Sequence, residues 1–343
     1  TMSIYTMSIY TMSIYTMSIY TMSVMAIKDY IKPVIITVLN NLPIKTPNYW
    51  GVGFADSARY CYSVWMRHLV CAKKSGLLAM PESVAEIGPG STLGIGLAAL
   101  LSGVNRYYAL DVVKHVDQNK NERVFNDLLN LFLSRADIPD DKEYPHVYPK
   151  IDDYTFPKWL ITDEMLQKSL NPERIELIIE SIHNTNPTEV SGKSLIKYVV
   201  PWHSPQIIVS SSVDFIISQA VMEHVDDLSM AYNAMYKWLK PGGIMSHVID
   251  FKSHGTSANW NGYWGYSDAI WKIIKGRAPY FINRCPYTCH TEYLEENGFE
   301  TVLEHKVFME SGIKREDLSN RFSSLSDVDL TTSTFFFQCR KPL

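Results

Sequence analysis

Short apolar runs separated by longer amphipathic stretches organise this chain. Ser83–Ile87, Arg106–Leu110, Leu195–Val200, Val213–Ser218 and Ile244–Ile249 each read as a buried strand, being brief, rich in β-branched and aromatic residues and bounded by turn signals. Gly94–Leu101, Asn121–Leu133, Pro172–His183 and Met222–Leu239 carry apolar residues at helical spacing. Lys240-Pro241-Gly242-Gly243 is expected to end the last of these, because proline denies the helical option and glycine permits a turn. Thr288–Glu296 reads as a further helix ended by Asn297-Gly298. Phe299–Phe308 and Thr331–Cys339 then read as two antiparallel edge strands around a polar connection. Strands alternating with helices predict a Rossmann-like three-layer α/β/α sandwich. Its seven-stranded, mostly parallel sheet would have the order 3-2-1-4-5-7-6, with the last strand reversed and helical insertions between strands.

Three regions fall outside that plan. Residues 1–23 are copies of Thr-Met-Ser-Ile-Tyr, a five-residue period that fits neither helix nor strand, and read as a disordered appendage with no part in the chemistry. Residues 24–80 read as a helical N-terminal extension. In Ala55 to Leu78 a broad apolar face would pack on the sheet, and Tyr49-Trp50-Gly51 suggests a mobile aromatic turn over the ligand. Within the main domain, 81–343, the intervals 112–190 and 255–282 are longer than sheet connections require and are candidates for the acceptor pocket.

The chemistry concentrates at strand exits. Val84-Ala85-Glu86-Ile87 runs into Gly88-Pro89-Gly90-Ser91-Thr92, and the next strand ends on Asp111. Glycines let the backbone turn sharply and lie against a ligand, helix N–H groups would be free near Ser91 and Thr92, and Asp111 can accept hydrogen bonds from ribose hydroxyls. A dinucleotide site wants Gly-x-Gly-x-x-Gly, but here Leu93 takes the third place and Gly94 and Gly96 follow. Glu86 would also repel a diphosphate, whereas it suits a cationic amine. S-adenosylmethionine, with an amine, a sulfonium and no phosphate, fits this lining better than NAD.

Composition narrows the partners. With 46% hydrophobic and 20% charged residues and a formal charge of −4, the chain describes a soluble globular protein without a basic nucleic-acid footprint. No run is long enough to span a bilayer, Pro33 to Leu39 being the longest near the N-terminus. The five cysteines read as free thiols in a reducing, cytoplasmic compartment. Cys285, Cys289 and His290 do not match a common zinc spacing, so no metal is expected.

Glu86-Ile87-Gly88-Pro89-Gly90, Asp111, Val213-Asp214-Phe215-Ile216-Ile217-Ser218, Glu223-His224-Val225 and Leu239-Lys240-Pro241-Gly242-Gly243, in that order, resemble the class I S-adenosylmethionine-dependent methyltransferases over roughly residues 80–340. The resemblance implies that Glu86 and Gly88, Pro89 and Gly90 meet the methionine part of the cofactor. It also implies that Asp111 holds the ribose and that Ser218-Gln219 borders the sulfonium. Where the family often has an acidic residue beside the adenine, this chain has Pro201-Trp202-His203, so Trp202 is the candidate there. His247-Val248-Ile249-Asp250-Phe251-Lys252-Ser253-His254 and Asn283-Arg284 are similar to segments of bacterial methyltransferases of polysaccharide and natural-product assembly.

Methyl transfer to a hydroxyl needs an oriented nucleophile and removal of its proton. His254, with Asp250 four residues earlier, is the candidate base, and His224 the second. Asn283 and Arg284 are candidates to anchor a small-molecule or saccharide acceptor. N-methylation of a small molecule, or a noncatalytic scaffold on the same fold, are the alternatives.

Overall fold

The computed structural model describes residues 31, 33–42, 54–185, 194–202, 204–278 and 280–343. The repeats of residues 1–23 and the Tyr49-Trp50-Gly51 turn lie outside them. The chain divides into two compact units. The smaller gathers Lys252–Ala278 and Glu310–Thr331 with the described part of Thr1–Tyr49, and the larger comprises Trp50–Phe251, Pro279–Met309 and Thr332–Leu343.

The larger unit is built on a seven-stranded sheet, β1 (Ser83–Ile87), β2 (Arg106–Leu110), β3 (Ile196–Val199), β4 (Val213–Gln219), β5 (Leu239–Asp250), β6 (Glu300–Phe308) and β7 (Thr332–Arg340). Its order is β3-β2-β1-β4-β5-β7-β6, as the sequence predicts. β1 pairs in parallel with β2, Ser83 opposite Arg106, and with β4, Val84 opposite Phe215, while β7 runs antiparallel between β5 and β6. The architecture is a Rossmann-like α/β/α sandwich with helical insertions.

Strand pleating sorts the core onto two faces. Phe215, Ile217, Ile244, Val248 and Phe336 join a large apolar cluster with helices α1 (Ala58–Lys74), α2 (Gly94–Leu101) and α3 (Gln118–Leu133). Ile216 and Met245, one residue along, are equally buried but stand apart from that cluster. Elsewhere in this unit α6 (Leu228–Trp238) meets α7 (Tyr287–Glu296) through Tyr232 and Tyr293, their rings stacked 5.6 Å apart; α4 (Asp163–Ser169) and α5 (Pro172–His183) precede β3.

Helix α1 begins where Ser57 accepts the Tyr60 N–H at 3.3 Å and ends with Lys73 and Lys74 in the last turn, where cations complement the helix dipole. Its fully buried Arg67 ties down part of the long interval after β2. The guanidinium donates to Asp141 at 2.8 Å and to the carbonyls of Val147 at 3.0 Å and Pro139 at 2.7 Å. Trp65 of the same helix stands edge-on to Phe215 of β4, 6.0 Å between rings.

The chain departs from the pattern reading between β4 and β5. The Met222–Leu239 helix is broken: Met222–His224 is a single 3-10 turn, and α6 starts only at Leu228, where Asp227 accepts the Met230 N–H at 2.9 Å. An aspartate competes well for helix-start N–H groups, so a new N-terminus forms there. Lys240-Pro241-Gly242-Gly243 belongs to β5 rather than to a free turn. The pairing with β4 shifts there from Val213–Leu239 to Phe215–Ile244, so these residues are taken up as an irregularity that tolerates proline.

In the smaller unit, Asn40 and Asn41 donate to the carbonyls of Ile274 and Ile273, at 2.9 and 2.8 Å, joining the helical stretch 33–41 to Asp268–Lys275. Asn261 is buried and donates to Ser311 and to the Leu330 carbonyl. No helix among the described residues is long and apolar enough to cross a membrane.

Candidate functional site

The carboxyl ends of β1, β2, β3 and β4 converge within the larger unit. The turn after β1 has Gly88 and Gly90 at φ of +70° and +80°, a region that glycine alone enters freely. The Gly88 N–H donates to the Leu110 carbonyl at 2.8 Å, which fixes the turn to the end of β2. A Cβ on Gly88 would stand 2.5 Å from a methyl of Val221, so this glycine also makes room for the segment after β4. Gly96 serves packing in the same way, since a Cβ there would enter the Tyr107 ring.

Two N–H groups at the start of α2 are engaged by side chains. Leu93 donates to Asn121 at 2.8 Å and Gly94 to the Thr92 hydroxyl at 3.2 Å. The Ser91 hydroxyl donates to Asp56, and the Thr92 hydroxyl to the Ala55 carbonyl. The helix start is therefore braced by α3 and by the segment before α1.

Asp111 follows β2 and is buried. Its Oδ1 accepts the Val112 N–H at 2.8 Å and, more weakly, that of Val113 at 3.5 Å. Oδ2 is buried with no hydrogen-bond partner among the described residues. Burial pushes this carboxyl above the usual aspartate range, against the pull of His115 and of the Val112, Val113 and Gly90 N–H groups. A buried carboxylate oxygen without a donor is costly unless a ligand supplies one. Adjacent hydroxyls, such as those of a ribose, are donors of the right chemistry.

Glu86 is placed differently from the sequence expectation. Its carboxyl is buried and takes hydrogen bonds from the Tyr107 hydroxyl and from the N–H of Gly96. Burial raises its pKa to about 8, so near neutral pH much of it is uncharged. It braces β1, β2 and α2 from within instead of presenting a full charge to a cationic amine.

Trp202 donates its backbone N–H to the Asp111 carbonyl at 3.1 Å, while its indole is buried 5.6 Å from the Trp238 ring. Gln219 closes β4, and its Oε1 lies 2.9 Å from His68 Nε2. Asn283 is occupied by backbone. Its Nδ2 donates to the carbonyls of Met222 at 2.8 Å and Val225 at 2.9 Å, its N–H to that of Glu223, and its Oδ1 accepts from Cys285. It holds the turn that carries Glu223 and His224, and so reaches an acceptor only through that turn. Arg284 is buried in a left-handed conformation, φ +66°.

His224 stands edge-on to Tyr280 at 6.3 Å between rings, and His115 stands edge-on to the same ring at 5.3 Å. Burial and the Asp111 charge raise the Tyr280 hydroxyl above its usual pKa. Tyr280 and His115 carry no local sequence signal; only the fold brings them near Asp111. Asp250 is the last residue of β5, opposite Thr334. His254 belongs to the smaller unit and lies in a turn at φ +51°. Cys285 and Cys289 are joined as a disulfide, a correction to their reading as free thiols: their spacing brings both sulfurs to one side of the chain at the start of α7. Cys61, Cys71 and Cys339 are free and buried.

Residues 200–246 match a family model described as a methyltransferase domain. No curated protein matches the sequence. Among solved structures, the chain is similar to phosphoethanolamine N-methyltransferase 2 of Haemonchus contortus in complex with S-adenosylmethionine, at 12% identity and a TM-score of 0.39, over 81% of this chain and 53% of that one. It is also similar to an S-adenosylmethionine-dependent methyltransferase of Methanosarcina mazei, at 14% identity and a TM-score of 0.39, over 79% and 97%. A third, from Mesorhizobium loti, matches at 10% identity and a TM-score of 0.37, over 79% and 96%. The methyltransferase-domain match runs from the exit of β3 through β4 into β5.

Proposed function

We propose that this chain is an S-adenosylmethionine-dependent methyltransferase that methylates a hydroxyl of a small or saccharide-containing metabolite. The observation that carries the cofactor reading is Asp111, whose buried Oδ2 lacks a donor beside the Gly88–Gly90 turn. Asp111 would bind the ribose hydroxyls, and Gly88, Pro89 and Gly90 would line the methionine part. Trp202 would border the adenine through the loop it anchors, and Gln219 the sulfonium end. Glu86 would act on this site by holding β1 and α2 in place. When bound, the cofactor supplies an electrophilic methyl group on sulfur.

The acceptor's proton is assigned to His254, supported by Asp250, with His224 as the second candidate base; the support is their position after β5 and β4. Arg284 would face the polar part of the acceptor, and Asn283 would act by holding the Met222–Val225 turn. An isotopic methyl-transfer screen over hydroxylated metabolites, with mass analysis of the product, tests the reading. Turnover of a hydroxyl acceptor that falls about 100-fold in His254→Ala, with cofactor affinity kept, supports it. Transfer only to amines, or none with the cofactor bound, overturns the hydroxyl assignment.

A further inference from the structure

A buried polar chain connects α1 to the end of β4. Gln338 of β7 donates through Nε2 to the His68 carbonyl at 3.1 Å and to the Ser246 hydroxyl oxygen at 2.9 Å. Ser246 Oγ lies 2.7 Å from His68 Nδ1, and His68 Nε2 lies 2.9 Å from Gln219 Oε1. Satisfying every buried donor in this chain selects one direction. Both hydrogens of the Gln338 amide are used, and the buried Ser246 hydroxyl, with no other acceptor among the described residues, satisfies its own hydrogen by donating it to His68 Nδ1. The imidazole is then an acceptor at Nδ1 and a donor at Nε2, and Gln219 must offer its carbonyl oxygen to it.

The other end of Gln219 is thereby decided. Its amide nitrogen, on the last residue of β4, has no acceptor among the described residues. The ring that fixes it is fully buried and edge-on to Phe336 at 5.7 Å, so it cannot swing away. Burial also depresses the His68 pKa to about 4, which keeps the ring neutral and its two nitrogens distinct at physiological pH.

We propose that His68 is a positioning residue for ligand binding, setting Gln219 so that its amide donates to a carboxylate oxygen of the cofactor's amino-acid moiety. This rests on the S-adenosylmethionine reading of the site. An amide N–H needs an acceptor, and on the methionine moiety the ammonium and the sulfonium offer none, whereas the carboxylate does.

Calorimetric titration of the full chain with S-adenosylhomocysteine, and with an analogue of it lacking the carboxylate, tests this. His68→Leu is expected to weaken S-adenosylhomocysteine about tenfold, and to cost nothing further in a Gln219→Ala background. His68→Gln, whose amide offers a donor near the place of Nε2, should restore affinity to within about threefold. The analogue should bind all of these proteins alike. Should His68→Leu fail to fold, Ser246→Ala removes the hydroxyl that fixes the tautomer and is expected to weaken binding in the same direction. Additive losses from His68 and Gln219, or His68→Leu binding as wild type does, overturn the positioning role. Equal weakening of the analogue overturns the carboxylate. Absence of S-adenosylhomocysteine binding by the wild type itself overturns the cofactor reading instead, and so is told apart from failure of the relay.

Discussion

The Trp202 N–H donates to the Asp111 carbonyl at 3.1 Å, which pins the exit of β3 to the exit of β2. The Gly88 N–H does the same between the exits of β1 and β2, through Leu110. The site's geometry is thus carried by backbone, and Asp111 can hold an unpaired oxygen under cover because the strands around it are fixed independently of its side chain. Four consequences can be measured.

Glu86 has its pKa raised to about 8 by burial. The folded protein therefore keeps this proton when the unfolded chain has lost it, and the associated stability is full below the unfolded value near 4.5 and is lost as pH rises to about 8. Glu86→Gln should unfold at a higher temperature than wild type at pH 8.5, with the difference shrinking toward pH 4.5. Because its carboxyl faces Tyr107 and Gly96, the same variant should bind S-adenosylhomocysteine within about threefold of wild type. A loss of tenfold or more would mean that Glu86 touches the ligand.

On the acid side the order is reversed. Burial depresses the pKa of His68 to about 4 and those of His247 and His290 to about 3. The unfolded chain takes up these protons first, so stability is full above about pH 6.5 and falls as pH drops toward 4. Thermal unfolding followed from pH 7.5 to 4.5 should show that decline, and His68→Gln should make it shallower. A profile that stays flat to pH 4.5 contradicts the burial of these rings as neutral groups.

Arg67 has no exposed surface and serves Asp141, Val147, Pro139 and Ser63 together. Arg67→Leu leaves buried carbonyls without donors and should lower the unfolding free energy by about 3 kcal/mol or more. Proteolysis of the variant should begin within 139–149. A loss below about 1 kcal/mol in chemical denaturation would show that the segment is held by other contacts.

Most of the sheet was legible in the sequence, because buried parallel strands are short apolar runs and their order follows from alternation with helices. The boundaries of β1, α2 and β2 coincide with the expected ones. What escaped was decided by one local cap and by tertiary neighbours. The break at Asp227 turns on a local cap within an otherwise helical pattern, and Pro241 sits in a strand because the pairing shifts there. At the site, Asp111 and the glycine turn carry a local signature, whereas His68, His115 and Tyr280 acquire their meaning only when α1 and the chain after residue 279 come to the strand ends. Asn283 looked like an acceptor ligand because spacing cannot reveal that its amide is occupied by the Met222 and Val225 carbonyls.

The central claim, that the unpaired Asp111 oxygen receives a ribose, is tested most directly by calorimetric binding of S-adenosylhomocysteine and of NAD to wild type and to Asp111→Ala. Wild type should bind S-adenosylhomocysteine saturably and in preference to NAD. Loss of two hydrogen bonds to a charged group should weaken binding in Asp111→Ala about 100-fold or more. The variant should meanwhile lose little heat stability without ligand, since shedding the unpartnered Oδ2 offsets the Val112 N–H that loses Oδ1. Asp111→Ala binding S-adenosylhomocysteine as tightly as wild type, or wild type binding NAD tightly and S-adenosylhomocysteine not at all, would contradict the account.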